Sequence, residues 1–329
     1  MAKKVETVYD EVSICGFCTT TESHILYPTN DIFGNNYTIN KCHRCRAIFL
    51  APRPTKEILE KAYDDTYYGP GEKKFSAPFI ENIIDYFRMG RAKRLARFLH
   101  EDSNVLDIGC GNGRFLKYLQ KCGKFNLFGT EMEGRAAQRA LQIPGIDIKI
   151  GSLLNHDFTN EQFDAITMFH VFEHLDDPRQ TLEEVTRLLS HNGTLVMSFP
   201  NIHSFQSRTF KGKWFHLDPP RHLFFFGHRD FIKMMSKYGF VFVKRKDRSF
   251  EQNPFGMIQS ILNVFFKRRE LLYERLKGNK AYARCNVAQL ILQYAFFIFL
   301  FPVCMIFDYV ASFMSRGATV EYTFIKAMH

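Results

Sequence analysis

The sequence contains no internal repeat and no low-complexity segment, which excludes solenoid and fibrous architectures. Its first thirteen residues lack the apolar core of a secretory signal peptide, so we expect a cytosolic protein. Acidic residues are scarce relative to basic ones: 34 Asp and Glu stand against 44 Lys and Arg, which gives a formal net charge of +10. This balance favours nucleic acid, anionic lipid or acidic substrates as partners.

Length and composition predict roughly two domains, or one domain with additions. The chain has 329 residues, of which 46% are hydrophobic and 24% charged, as in globular proteins with a buried core. We expect a zinc-ribbon unit at 1–55, a helical linker at 56–100, a core at 101–253, an apolar helical insertion at 254–316 and a final core strand at 317–329.

From residue 104 to about residue 246, short apolar runs alternate with helical patterns. Strands are predicted at 105–108, 126–129, 146–150, 165–169, 194–199 and 240–244, and a last strand at 318–326. Helices are predicted at 114–121, 135–141 and 179–189. This alternation predicts an α/β fold with a parallel sheet covered on both faces.

The first of these strands runs into a glycine-rich turn. Asp107 precedes a Gly-Cys-Gly-Asn-Gly turn at residues 109–113, and a helical pattern follows. Such a turn lets a ligand approach the backbone and directs helix N–H groups at it. Glu131 ends the next strand, where a carboxylate can accept hydrogen bonds from two ribose hydroxyls. The arrangement predicts a nucleotide-type ligand.

Two families of cofactor-binding folds share this arrangement. Dinucleotide-binding folds carry Gly-x-Gly-x-x-Gly, and the third glycine position is Arg114 here. The Asp-Ile-Gly-Cys-Gly order instead resembles motif I of class I S-adenosylmethionine-dependent methyltransferases. Segments 163–175 and 193–201 resemble the fourth-strand and fifth-strand motifs of that family, so the resemblance covers about residues 104–201. A tight turn without a ligand is the plainer alternative.

The resemblance, which is to methyltransferases of types 11 and 23, implies a Rossmann-like seven-stranded sheet and S-adenosylmethionine as cofactor. In that family the acid that corresponds to Asp107 organises the glycine loop near the methionine part of the cofactor. Ser152 stands where family members often carry an aspartate toward adenine. The residues assigned to the cofactor in this way are Asp107, Gly109, Cys110, Gly111, Gly113, Glu131, Met132, Ser152, Leu153, His170 and Tyr68.

Three histidines are candidates for a general base. His170 and His174 follow the fourth strand in a His-x-x-Glu-His pattern, and His222 follows a Pro-Pro pair after the fifth strand. Some related quinol and RNA methyltransferases hold a divalent metal with Glu-x-x-Glu-His, so a metal is an alternative, although the first position differs here. The plainer alternatives are a cofactor contact for His170, a helix cap for His174 and a surface loop for His222.

The kind of acceptor is indicated by a missing motif. Amino-group methyltransferases carry Asn/Asp-Pro-Pro-aromatic after the fourth strand, whereas this chain has Phe-His-Val-Phe at 169–172. The Asp-Pro-Pro run at 218–220 lies elsewhere and lacks the aromatic residue. We therefore expect an oxygen or carbon acceptor rather than a nucleobase amine.

Four of the eight cysteines form two Cys-x-x-Cys pairs. Cys15 and Cys18 are separated from Cys42 and Cys45 by 23 residues, as in a zinc ribbon. Four thiolates make a closed tetrahedral site, so we expect a structural zinc ion, on which folding of so small a unit would depend. The ribbon resembles that of a methyltransferase subfamily in which a tyrosine-containing segment, here with Tyr68, lies over the cofactor. Chance spacing is the alternative.

A long apolar segment precedes the last strand. Residues 287–313 are mostly apolar and exceed the ~20 residues that span a bilayer. A single span would separate the strand at 318–326 from its sheet, so we expect a helical hairpin, kinked at Pro302, that dips into one leaflet. Seven Lys or Arg between Phe265 and Arg284 would then contact anionic headgroups. A dimer or domain interface is the alternative.

Together these features predict a cytosolic methyltransferase, peripheral or monotopic on the inner face of a membrane. Its acceptor would be a hydroxyl of a lipid-linked, glycan or quinol-type molecule, and the apolar helices could also form a homodimer. An RNA methyltransferase is the first alternative, since a ribbon and positive charge could grip phosphates, although we do not expect nucleic acid. A non-catalytic scaffold with the same fold is the second.

Overall fold

The computed structural model describes residues 13–63, 78–158, 162–277 and 286–327. Tyr68 and part of the basic stretch before the apolar segment lie outside these ranges. The strands are β1 (Ser23–Asn30), β2 (Asn36–Cys42), β3 (Ile48–Ala51), β4 (Asn104–Ile108), β5 (Asn126–Glu131), β6 (Ile146–Ile150), β7 (Phe163–Phe169), β8 (Leu189–Pro200), β9 (Phe224–Phe225), β10 (Phe240–Lys246) and β11 (Thr319–Lys326). The helices are α1 (Lys56–Ala62), α2 (Pro78–Leu95), α3 (Arg114–Leu119), α4 (Arg135–Ala140), α5 (Pro178–Leu188), α6 (Phe205–Phe210), α7 (His228–Lys237), α8 (Asn253–Phe265), α9 (Leu271–Leu276) and α10 (Val287–Phe313).

The central sheet has seven strands in the order β10-β11-β8-β7-β4-β5-β6. The strands from β8 to β6 in this order are parallel to their neighbours, and β11 is antiparallel to both β8 and β10. Leu106, Ile166 and Leu195 in the middle of the sheet are completely buried, as expected for strands covered on both faces. The predicted α/β fold with a Rossmann-like seven-stranded sheet is confirmed.

The cysteine-containing unit forms a second sheet in the order β1-β2-β3-β9. Its last strand comes from the segment after β8, and Phe224 and Phe225 pair there with Phe49 and Ile48. Gly16 lies so close to the Phe224 ring that a Cβ would approach it within 2.6 Å. Main-chain pairing and tight packing therefore fix this unit against the core of the protein.

An insertion of three helices, α8 to α10, separates β10 from β11. The predicted hairpin at Pro302 is wrong, because α10 continues unbroken from Val287 to Phe313. A proline inside a helix removes one main-chain hydrogen bond and bends the helix, and packing against α8 on both sides of Pro302 keeps this one helical. Within the described residues, α10 is the one helix long and apolar enough to cross a membrane.

The helices α8 and α9 attach α10 to the domain. Ile258, Leu262 and Leu272 pack against Cys304 in a buried cluster. Nearer the end of α10, the Asn253 amide donates a hydrogen bond to the Asp308 carboxylate at 2.8 Å. One side of α10 is therefore held by the protein, and only 11% of its most apolar 18-residue window is buried.

Candidate active site

The glycine turn follows the carboxyl end of β4. Gly109, Gly111 and Gly113 have φ angles of +65°, +58° and +68°, where residues other than glycine are strained. A Cβ at Gly109 would lie 2.5 Å from Val171, whereas a Cβ at Gly111 would meet nothing within 4 Å. The Gly111 backbone is therefore open to a ligand.

Glu131 ends β5 beside this turn. Its carboxylate accepts hydrogen bonds from the Gly111 N–H at 2.6 Å and from the Met132 N–H at 3.1 Å. The Met132 side chain is exposed next to it. The carboxylate thus lies beside the open backbone of the turn, where it can also accept hydrogen bonds from the two hydroxyls of a ribose.

Asp107 and Cys110 support the turn from within the protein. Asp107 is buried and accepts a hydrogen bond from the Thr167 hydroxyl at 2.6 Å. Burial raises the pKa of Asp107 to about 7, and the hydrogen bond opposes that rise. The Cys110 sulfur packs so closely on Gly129 that a Cβ there would lie 2.9 Å from it. Burial also raises the pKa of this thiol, so its role is packing rather than nucleophilic attack.

Ser152 and Leu153 follow β6 at the same edge of the sheet. The Ser152 Oγ accepts a hydrogen bond from the Leu154 N–H at 3.4 Å and caps a short helical turn. Its hydroxyl proton can still be donated to a ligand. The Leu153 side chain is buried, so its main chain is the part that can face a ligand. The placement of Tyr68 over the cofactor stays a prediction.

His170 follows the carboxyl end of β7. Its φ is +58°, and its N–H donates to the Ser198 carbonyl at 2.8 Å. Its Nδ1 lies 3.3 Å from Oε1 of Glu173, which is 1% exposed. Burial raises the pKa of Glu173, and the nearby His174 and His222 oppose that rise. An imidazole oriented by a buried carboxylate is a common arrangement for a general base.

His174 and His222 also lie beside Glu173, with ring centroids 4.6 Å apart. Nδ1 of His174 is 2.9 Å from the Arg221 carbonyl, and Nδ1 of His222 is 2.9 Å from the His216 carbonyl. Because a carbonyl only accepts, Nδ1 of His222 carries a proton, whereas Nδ1 of His174 also lies 2.9 Å from the Tyr63 hydroxyl, which can donate or accept. Burial lowers the pKa of both rings, to about 4 for His174. His222 is buried, so the surface-loop alternative for it is wrong.

The cluster of Glu173, His174 and His222 brings one possible ligand atom from each residue within 4.8 Å of the others. His222 Nε2 lies 4.0 Å from Glu173 Oε1. One carboxylate and two imidazoles form a donor set that can hold a divalent cation. Two of these donors belong to the His-x-x-Glu-His pattern, and the third comes from His222 rather than from His170.

A small cavity, partly open to solvent, lies at the same edge of the sheet. It is lined by Phe87, Arg91, Arg94, His170, Ser198, Lys246, Arg248, Ser249, Glu251, Thr319, Val320 and Glu321. Of the three candidate histidines, His170 belongs to this lining. The basic residues of this lining were not among the predicted site residues. A general rule could have indicated one of them, because ligands of open α/β sheets bind at the carboxyl ends of the strands and Lys246 is the last residue of β10.

The four cysteine sulfurs of the ribbon lie within 4.8 Å of one another. Sγ of Cys15 is 3.6 Å from Sγ of Cys45, and Sγ of Cys18 is 3.5 Å from Sγ of Cys42. A tetrahedron with Zn–S bonds of ~2.3 Å has edges of about 3.8 Å. The cysteines are therefore placed as the ligands of a zinc ion would be.

Comparisons with known proteins point to one enzyme class. Residues 83–245 match a family model described as a methyltransferase domain. A mitochondrial ubiquinone biosynthesis O-methyltransferase from Candida albicans is 27% identical over 183 residues, 52% of this chain and 55% of that protein. Ajmaline N-methyltransferase from Rauvolfia serpentina is 26% identical over 102 residues, 29% of this chain and 35% of that protein. The chain spans about half the length of these curated relatives or less.

A solved structure agrees on the fold. A (4+2)-cyclase has a TM-score of 0.52 and 13% identity, covering 84% of this chain and 97% of that one. At this identity the likeness shows the fold and nothing about the reaction.

The sheet, the turn and the family match agree. β4, β5 and β7 lie side by side, and β11 is antiparallel in the sheet. The turn leaves Gly111 open beside the Glu131 carboxylate, and this cradle suits an adenosyl group. The family match over 83–245 includes the cradle and His170. The chain therefore belongs to the class I S-adenosylmethionine-dependent methyltransferases.

Proposed function

We propose that this methyltransferase acts on a hydroxyl of a membrane-associated molecule, with His170 as the general base. The observation that carries the proposal is the position of His170. It lines the cavity at the edge of the sheet where the glycine turn also lies, while its Nδ1 faces the buried Glu173 carboxylate at 3.3 Å. A base in this place can reach an acceptor that enters the cavity.

S-adenosylmethionine, when bound, supplies a methyl group for in-line displacement by the acceptor oxygen. The turn at 109–113 and the Glu131 carboxylate hold its adenosyl part, and Asp107 keeps the turn in place. Nε2 of His170 takes the proton from the acceptor hydroxyl as the new oxygen–carbon bond forms. Glu173 then stabilises the imidazolium, as the buried carboxylate does in other His–carboxylate pairs.

We assign His174 and His222 to the positioning of Glu173. Neither lines the cavity, and burial lowers the pKa of both rings. Lipid mass spectrometry of cells with and without the gene tests the reaction. A membrane lipid or glycan precursor should lose one CH₂ when the gene is absent, and unchanged profiles of both classes would contradict the proposal.

The exposed face of α10 supports attachment to a membrane. Ile291, Ile298, Phe299, Ile306 and Phe313 are 64% to 88% exposed. At 100° per residue they fall on one side of the helix. An apolar surface that runs the length of a 27-residue helix is larger than those that soluble monomers usually expose.

The contacts of α10 favour a helix that lies in one leaflet. Its middle is held by Phe297, whose ring centroid is 5.9 Å from that of Phe255 on α8, and its end by the Asn253–Asp308 hydrogen bond. A helix attached in this way can place its apolar face among lipid chains without crossing them. The predicted headgroup contact is wrong for Arg269 and Lys277, which are buried and paired with Glu270 and Glu274. The exposed Lys267, just after α8, adds a charge suited to anionic headgroups.

Serine substitutions on the exposed face of α10 test membrane attachment. We expect the Ile298→Ser, Phe299→Ser, Ile306→Ser triple variant to bind phosphatidylglycerol vesicles at least about a hundredfold more weakly than wild type, since each buried side chain contributes about 1.5 kcal/mol or more. Vesicle flotation measures the effect. The matched control is Val241→Ser with Val243→Ser, two exposed positions on β10.

Two results of that experiment would contradict the membrane proposal. In the first, the triple variant floats with vesicles as wild type does but elutes from gel filtration as a monomer where wild type elutes as a dimer. The exposed face of α10 would then be a homodimer interface. Salt-sensitive binding of RNA in place of vesicles would favour an RNA acceptor.

Metal analysis tests the cysteine site. Purified protein should carry one zinc ion per chain that is lost in Cys42→Ser and kept in Cys122→Ser, because Cys122 lies outside the ribbon. The Cys42→Ser variant should also unfold more easily, since binding of a structural zinc ion contributes to folding. Inductively coupled plasma mass spectrometry gives the stoichiometry. Wild-type protein without zinc would contradict the assignment, and a second ion lost in His222→Ala would place a metal at Glu173, His174 and His222.

A further inference from the structure

The cavity beside His170 contains more basic than acidic side chains. Arg91 and Arg94, from one face of α2, pair with Glu251 and Glu321. Lys246, at the end of β10, has no carboxylate within 4.0 Å in the described part of the chain. Burial lowers the pKa of Lys246, so an anion placed next to it would stabilise its charged form.

Arg248 is a second cation of this lining. It has no carboxylate within 4.0 Å among the described residues, and it interacts with the Asp308 carboxylate of α10 over a longer distance. Its guanidinium lies 4.0 Å from the centre of the Phe250 ring and 4.9 Å from that of Tyr309, which is on α10. The side chain is exposed at the edge of the cavity. Arg248 therefore connects the cavity with the apolar helix.

Two buried hydroxyls in the lining lack hydrogen-bond partners. Ser198 is 4% exposed, and neither its Oγ nor that of Ser249 has a partner within the described structure. Oε2 of Glu251 is also without a partner there. A buried polar atom without a partner is unfavourable, so the site suits a ligand with oxygen atoms for the two hydroxyls and a hydroxyl for Glu251.

We infer that the cavity binds the phosphate group of a membrane-anchored methyl acceptor, held by Lys246, Arg248 and the two serine hydroxyls. The inference rests on the proposed function, because the same acceptor must present its hydroxyl to His170. Four donors match a phosphate, with its three free oxygens and two charges, better than a carboxylate with two oxygens. The contact of Arg248 with Tyr309 places the cavity at the end of α10, close to the depth at which phosphates of membrane-anchored molecules lie.

Calorimetry on the full chain, in non-ionic detergent and saturated with S-adenosylhomocysteine, tests the site with inorganic phosphate as the probe. We expect saturable binding to wild type and binding at least about tenfold weaker to the Lys246→Gln, Arg248→Gln double variant. The matched control is Lys244→Gln with Arg229→Gln, which are exposed and do not line the cavity. Affinity for S-adenosylhomocysteine and for phosphatidylglycerol vesicles should be unchanged in both variants.

Four results would overturn the inference. Phosphate binding could be equal in the double variant and its control, or acetate could bind as tightly as phosphate. A parallel loss of S-adenosylhomocysteine affinity would assign the cations to the carboxylate of the cofactor. A tenfold loss of vesicle affinity would assign them to bulk lipid headgroups. If wild type did not bind S-adenosylhomocysteine at all, the methyltransferase assignment would fail instead, so the two failures are distinguishable.

Discussion

The His170→Asn variant is expected to lose about 10²- to 10⁴-fold in kcat while its affinity for S-adenosylmethionine stays within about twofold of wild type. Asparagine tolerates the φ of +58° at this position, and its amide can donate to Glu173 as Nδ1 of the imidazole does. It has no nitrogen that accepts a proton, so the function of the base is removed and its contact is kept. Steady-state kinetics at saturating cofactor give kcat, and calorimetry gives the affinity.

Two further histidine variants make this result specific. His191→Asn, at an exposed position of β8, is the matched control and should behave as wild type. His222→Asn should reduce kcat less than His170→Asn, because His222 acts through Glu173. If His222→Asn abolished turnover in a folded protein while His170→Asn remained active, His222 would be the base and the assignment to His170 would be wrong.

Glu131→Ala should weaken binding of S-adenosylmethionine by about 10²-fold or more. Two ribose hydroxyls would each lose a hydrogen bond to a charged acceptor, and such bonds contribute about 1.5–3 kcal/mol each. The turn would also lose the acceptor of the Gly111 N–H, which donates to Glu131 at 2.6 Å. Calorimetry with S-adenosylhomocysteine measures the loss.

The control for this variant is Glu133→Ala, two residues further along the chain. Glu133 is exposed, so removing its charge changes the local field without changing the cradle. Glu131→Gln should lie between wild type and Glu131→Ala, since the amide keeps one acceptor. Equal affinities for Glu131→Ala and Glu133→Ala would mean that the cofactor does not bind at this carboxylate.

The cofactor cradle could be predicted because it is made from short, continuous segments. The glycine turn at 109–113 and Glu131 each follow directly from a buried strand, and neighbouring parallel strands bring the two ends together. The convergence of the cysteines was likewise predictable, because each pair sits within one tight turn.

Contacts between distant segments could not be predicted in the same way. β9 joins the sheet of the ribbon through only two residues, Phe224 and Phe225. An apolar run of this length does not indicate which strand it pairs with. The approach of His222 to Glu173 depends on the fold of the whole segment between them, which contains α5, β8 and α6. The continuity of α10 through Pro302 depends on its packing against α8, which outweighs the local preference of proline.

The basic lining of the cavity could not be predicted because its residues come from segments far apart in the sequence. Arg91, on α2, and Lys246, at the end of β10, meet because both elements reach the carboxyl edge of the sheet. The sequence shows the positive charge of each segment, and the fold brings the charges together. The net charge alone therefore did not distinguish between nucleic acid, anionic lipid and acidic substrates as partners.

The most direct test of the account is transfer of radiolabelled methyl groups from S-adenosylmethionine to membrane extracts. Wild-type protein should label lipid-extractable material, Glu133→Ala and His191→Asn should label it equally well, and Glu131→Ala and His170→Asn should label it at least about a hundredfold more slowly. Wild-type protein that binds the cofactor but transfers no label would make it a scaffold with a methyltransferase fold. Label found in RNA rather than in lipid would contradict the proposed acceptor.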